Sequence, residues 1–320
     1  MTAILTVALP LFGLILLGYA ARRRRYVPPS ALVGLEFFVA KLAMPALFFR
    51  LVALTPFPDL PGWSFILTTG FATYCAFAIA FSCGALLNRG NVPEATLQGV
   101  VGSSANIAAM GPALAVAALG ASAGAAMAFI FTFDFALLAI LSPLMMVLGG
   151  TERPHVATMA VSIAKEVFRQ PLVIATILGF LAALVRLRLP GAVDALLAAL
   201  SAAAAPTALF ALGIDLAGRR AGNSGFGVGL LVAIKLAVHP FIVYLLLTWI
   251  GGFENTWVNA AILLAALPAG PAVAAVARRY GSYVEQSSAA VLVGAVASVV
   301  TLVAVLAFTL DGSSSAGVFR

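Results

Sequence analysis

One apolar run of transmembrane length follows another along this chain, separated only by short polar joints. A helix needs about 17–25 mostly apolar residues to cross the hydrocarbon core of a bilayer. The pattern predicts ten such spans, near residues 3–21, 31–51, 62–87, 95–119, 121–148, 171–185, 192–216, 225–249, 256–280 and 287–310. No aqueous core could bury all of them. Composition agrees: 63% of the 320 residues are hydrophobic and 9% charged, against about 25% charged in a soluble domain, and mean hydropathy is +1.11. The expected class is an all-α integral membrane protein.

The basic residues test the threading. The net charge of +7 is not gathered into a nucleic-acid-binding patch. It sits in short joints between spans, where cytoplasmic loops collect Lys and Arg. The first apolar run precedes Arg22–Arg25, the reverse of a secretory signal, so it reads as a span with Met1 outside. Followed from there, Arg22–Arg25, Arg89, Arg153, Lys165, Arg169, Arg219, Arg220, Arg278 and Arg279 fall on the cytoplasmic side, 12 in all, against 4 outside, with Lys41 and Lys235 inside spans. The expected location is the inner (cytoplasmic) membrane with both termini outside. Residues 149–170 form the longest cytoplasmic joint, in which Val156, Met159, Ala160, Ile163 and Val167 recur at helical spacing, predicting a short amphipathic helix on the membrane surface.

The two halves repeat. GPALAVAALG from Gly111 in span 4 parallels GPAVAAVARRYG from Gly270 in span 9, an offset of 159, and Pro45 in span 2 parallels Pro206 in span 7, an offset of 161. Five spans per repeat make the second copy enter the membrane inverted. The expected domains are a first repeat over 1–148, the linker at 149–170, a second repeat over 171–310, and an outer tail at 311–320. Gly111–Pro112 and Pro268–Gly270–Pro271 lie near mid-span. Proline withholds a donor and clashes one turn back, and carbonyls freed in lipid survive only against protein, water or a ligand. The pairing predicts two broken helices whose half-helix N-termini, with Pro112 and Pro271 in their first turns, converge on an anion. Asn106 could donate its amide to a carboxylate there; Ser103 and Ser104 are further candidates.

On these residues the chain resembles the auxin efflux carrier family of permeases. The match runs through MPALFF in span 2, SANIAAMGPALAVAALG in span 4, RQPLVIATILGFL entering span 6, APTALFALG in span 7, KLAVHP in span 8 and LPAGPAVAAVA in span 9. The resemblance implies a ten-helix fold shared with bile-acid/sodium symporters, a crossover of spans 4 and 9, and organic-anion transport by an elevator of transport domain against scaffold. There are departures. The span 4 proline usually stands seven residues after the asparagine, whereas Pro112 stands six after Asn106. The span 9 glycine is usually followed by asparagine, whereas this chain has Ala272.

A charge at the bilayer centre costs about 2.5–3.5 kcal/mol on insertion scales, so charges inside spans call for a purpose. Lys41, one turn before Pro45, is a candidate counter-charge for the anion, with pairing to Asp134 as one arrangement. Asp134 and His239 are candidates for ion coupling; His239 shares a helix face with Lys235 and could instead bond a carbonyl freed by Pro240. Cys75 and Cys83, eight apart in one span, cannot bridge and read as packing residues. No HExxH, Walker loop or CxxC occurs, and His155 and His239 are the only histidines, so an intramembrane enzyme has no base or metal cluster to point to. The sequence favours a secondary carrier for a small mono- or dicarboxylate, with no cofactor beyond a coupling proton or sodium ion. A ligand sensor or channel on the same fold is the alternative. The partners are the bilayer and the carboxylate, not nucleic acid, with a homodimer as one allowed assembly. In a background lacking Cys75 and Cys83, a cysteine placed near Pro154 is expected to react with an impermeant thiol reagent only from the cytoplasm, and one near Ser314 only from outside. Labelling of both from one face would overturn the threading.

Overall fold

The computed structural model describes residues 2–150, 156–219 and 225–314. Arg153, His155, Arg220 and the tail from residue 315 lie outside the described residues. Among those described there are helices and no strand: α1 (Thr2–Arg23), α2 (Ala31–Phe38), α3 (Met44–Ala53), α4 (Trp63–Leu87), α5 (Val92–Ser103), α6 (Ile107–Leu119), α7 (Ala121–Leu148), α8 (Val156–Arg169), α9 (Pro171–Leu184), α10 (Gly191–Gly218), α11 (Phe226–Ala233), α12 (His239–Ile250), α13 (Asn255–Ala265), α14 (Pro271–Tyr280) and α15 (Val284–Ser314). Eight stretches among them are long and apolar enough to cross a membrane, or nine if α8 and α9, bent by 69° at their junction, count as one span. The sixth predicted span is thus a helix of only 14 residues, and the ninth is two pieces of 11 and 10 residues. The surface suits lipid: Leu86, Phe226 and Trp249 are 79–85% exposed, an arrangement water would penalise.

Prolines shape the spans in two ways. Just before Pro45 and Pro240 the helix widens into a π-turn, over Val39–Ala43 and Ile234–Val238. A proline cannot donate to the carbonyl four residues back and crowds it. The chain absorbs this by reaching one residue further, so that Met44 N–H bonds Val39 O and His239 N–H bonds Ile234 O. Each π-turn carries a lysine, Lys41 or Lys235. Pro10, Pro112, Pro143 and Pro206 are instead taken inside α-helices. The predicted break at Gly111–Pro112 is therefore corrected: α6 runs through both residues, and the interruption falls at Ser104–Asn106.

The linker stretch forms a helix, α8, in which Met159, Ile163 and Val167 are less exposed than their neighbours at four-residue spacing, while Ala160 is exposed. The other helices pack as two groups. In one, α1 lies along α10 and α3 packs on α9 and α10, tied by an ion pair of Arg50 with Asp194. In the other, α4 packs on α5 and α12, α13 on α6, α7 and α12, and α15 on α11 and α14.

The α1–α10 contact is backbone to backbone. A Cβ on Gly18 would overlap the Phe210 carbonyl, and one on Gly213 would overlap the Ile15 carbonyl and lie 2.8 Å from the Tyr19 nitrogen. Two glycines thus let main chains touch, the usual way membrane helices gain contact where water supplies no driving force. Gly213→Val is expected to cost at least about 1–3 kcal/mol, as overpacking does, read as a lower unfolding temperature in detergent. Gly13→Ala, where a Cβ meets nothing within 4 Å, serves as the silent control. An unchanged midpoint for Gly213→Val would mean the helices separate without loss.

Candidate functional site

Two helix interruptions meet inside the second group. The first follows α5. Ser103 Oγ turns back to the Gly99 carbonyl at 2.8 Å, a local bond that competes with helix continuation, and the chain extends until Asn106 before α6 begins. The second follows α13, whose ladder closes at Ala265; Pro271, with φ preset and no N–H to leave unpaired, starts α14 as expected. Asn106 N–H donates to the Pro268 carbonyl at 2.9 Å. A Cβ on Gly270 would stand 2.9 Å from Asn106 Oδ1, so only glycine allows this approach. The first amides of α6 and α14 have no acceptor within their own helices, and both starts face one cavity.

That cavity holds about 220 Å³. Ser104, Asn106, Ile107, Gly270 and Ala272 form one end, Phe131, Asp134, Leu138 and Ser142 of α7 form the wall, and Glu166, Gln170, Arg279 and Tyr280 form the other end. The second amide lost at Ala272 leaves a methyl in the lining. Asn106 is 8% exposed and is the amide at the deep end.

Asp134 also borders a side chamber with Thr69, Thr73, Ala105, His239 and Ala265. Its volume of about 10 Å³ is roughly one water position. Asp134 Oδ1 is buried without a hydrogen-bond partner, and Thr73 lies between this carboxyl and His239. Lys235, 1% exposed, donates to the Ala265 carbonyl at 2.5 Å and stands 3.2 Å from His239 Nδ1. His239 Nε2 is 3.3 Å from Thr73 Oγ1. The carbonyl that Lys235 takes is the negative end of α13, where a cation is favoured.

The structure thus brings together Asn106, Ser104, Gly270 and Asp134 in the cavity, with His239 behind Asp134. It does not bring in the others. Ser103 is fully buried and bonded into its own helix. Gly111 and Pro112 are buried inside α6, away from the lining, and Pro271 is behind Gly270. Lys41 borders a separate groove with Pro45, Phe49, Pro171 and Leu197. Among the described residues no ion pair joins Lys41 to Asp134. His239 bonds Thr73 and Lys235 rather than a carbonyl freed by Pro240. Thr73 and Arg279 went unread as site residues. Thr69 and Thr73, four apart on one face of an apolar span, were the available signal for the first, whereas Arg279 looked like one more loop charge.

Residues 3–306 match the membrane transport protein family. A Rhizobium meliloti (strain 1021) protein described as "Putative malonate transporter" is 39% identical over 319 residues, covering 100% of both chains. Paired helix breaks around a small cavity, a lipid-facing exterior and a match over nearly the whole length agree: the chain belongs to this family, the auxin efflux carrier permeases, and is a multi-pass membrane transporter rather than an enzyme.

Proposed function

We propose that the chain is a secondary carrier for small carboxylates, of dicarboxylate size, with Asn106 and the starts of α6 and α14 as the binding site. The observation that carries this reading is the Asn106 N–H bond to Pro268 O, because it sets two positive half-helix ends beside one cavity. A volume of about 220 Å³ is below the roughly 300–1,000 Å³ of drug-sized pockets, which suits a few-carbon acid. The Rhizobium relative's name points to the same class. In this reading the halves form two inverted five-helix repeats, ten spans in all. Spans 4 and 9 are α5–α6 and α13–α14 and cross where they break. The α1–α3–α9–α10 group is the scaffold, and the group holding the cavity moves against it as an elevator. The threading by basic residues places both termini outside, and the Glu166–Arg279 end of the cavity then opens to the cytoplasm.

The test is uptake of labelled malonate, malate and indole-acetate by purified protein in liposomes; accumulation of none of them above empty liposomes rejects the carrier. Asn106→Ala is expected to weaken carboxylate binding by about 1–3 kcal/mol, the worth of a hydrogen bond to a charged group. The backbone bond to Pro268 survives that substitution, so the fold should persist; unchanged affinity would return Asn106 to packing.

Asp134 is the coupling residue in this proposal, supported by its unpartnered oxygen between the cavity and the side chamber. Wild-type uptake should follow a proton or sodium gradient, and Asp134→Asn should abolish that dependence. A wild type indifferent to both gradients would make the protein a uniporter and Asp134 structural.

A further inference from the structure

Around Asn106 the cavity offers neutral donors, with Asp134 in the adjoining wall. Among the described residues lining it, the one basic side chain is Arg279. It sits in the last turn of α14, nine residues from the break at Gly270. At 1.5 Å per residue this is about 13 Å along the helix between the two backbone positions, which puts its backbone well away from Gly270 and Asn106. Arg279 is therefore placed to meet the substrate on entry.

Its guanidinium is already holding a carboxylate. Arg279 Nη1 stands 2.8 Å from Glu166 Oε2, and its Cζ lies 5.7 Å from the Tyr280 ring centroid, a stacking contact that orients the fork. Glu166 comes from α8, a helix that otherwise packs on α7 and α9. With side chains 56% and 41% exposed, a pair of this kind is held only weakly, because water screens it. A second carboxylate can compete for the position Glu166 takes, because it offers the guanidinium the same kind of acceptor.

We propose that Arg279 is the entry and charge-selecting residue of the carrier, with Glu166 as a resident carboxylate that the incoming substrate displaces. The proposal rests on the carboxylate-carrier reading. A dianion is drawn to a fixed cation more strongly than a monoanion of the same size, so Arg279 favours dicarboxylates even though the deep site reads one carboxylate at a time. The exchange also frees the end of α8 from α14 at each entry.

The experiment uses full-length protein in liposomes, with binding to detergent-purified protein measured in parallel. The probes are malonate and its monomethyl ester, a monoanion of similar size. Arg279→Gln should raise the malonate KM about tenfold, the loss of one charge-assisted contact, and erase the preference for malonate over the ester. Arg279→Lys should restore part of that preference. Glu166→Gln should act in the opposite direction, lowering the malonate KM by about threefold as the competitor is removed. If the pair were only a tie between α8 and α14, both charge-removing variants would shift KM the same way and leave the malonate-to-ester ratio unchanged, and that result overturns the proposal. A wild type that neither binds nor moves malonate or the ester rejects the carboxylate reading and this inference together. A wild type that moves malonate without preferring it to the ester rejects this inference alone.

Discussion

Everything in the second helix group depends on two interrupted backbones satisfying each other away from water. In hydrocarbon an unpaired main-chain group costs several kcal/mol, so neither the Ser104–Asn106 break nor the Ala266–Gly270 break could face lipid alone. Each answers part of the other's need through Asn106 N–H and Pro268 O. Gly270 is obligatory because its missing Cβ is the space that Asn106 occupies. The flanking helices α4, α7 and α12 keep lipid from the junction, which explains why a buried Thr73, His239 and Lys235 line up on that side.

The same junction sorts charge by helix end. The starts of α6 and α14 turn their amides toward the cavity, while the carbonyl end of α13 is met by the Lys235 ammonium. Amide ends and a carbonyl end of helices thus lie back to back, with Asp134 bordering both chambers. In the proposed carrier this would give coupling a short path, from the cavity through Asp134 to Thr73, His239 and Lys235. Lys235 sits in the π-turn that precedes Pro240, and from there it reaches the Ala265 carbonyl.

Membrane helices were legible in the sequence because lipid demands long apolar runs, and α7 at Ala121–Leu148 begins and ends where those runs do. The paired interruptions were legible too, since Pro271 begins α14. The position of the first break was not. Gly111–Pro112 carries the stronger breaking residues, yet a membrane helix takes such a proline in its stride when its neighbours pack closely, as α6 does against α13. At the break itself Ser103 bonds back to the Gly99 carbonyl, a local alternative that competes with helix continuation. Lys41 misled for a related reason: it shares with Lys235 a place one turn ahead of a proline, but helix rotation points it to a different groove. Sequence periodicity places a residue on a helix; which neighbour that face meets is settled by pairings between distant helices, such as α4 with α12, that no local pattern encodes.

The glycine contact between α1 and α10 has a consequence for biogenesis. Gly18 and Gly213 are 195 residues apart in the chain, so the first helix enters the bilayer long before its partner exists. At synthesis rates of about 5–20 residues per second the wait is roughly 10–40 s. In water an unpartnered apolar helix would aggregate in that interval. In lipid its exposed flank is already solvated, since acyl chains are as apolar as leucine. Such a delay is tolerable only in a bilayer, and it means the two helices can lock together only after α10 has been threaded.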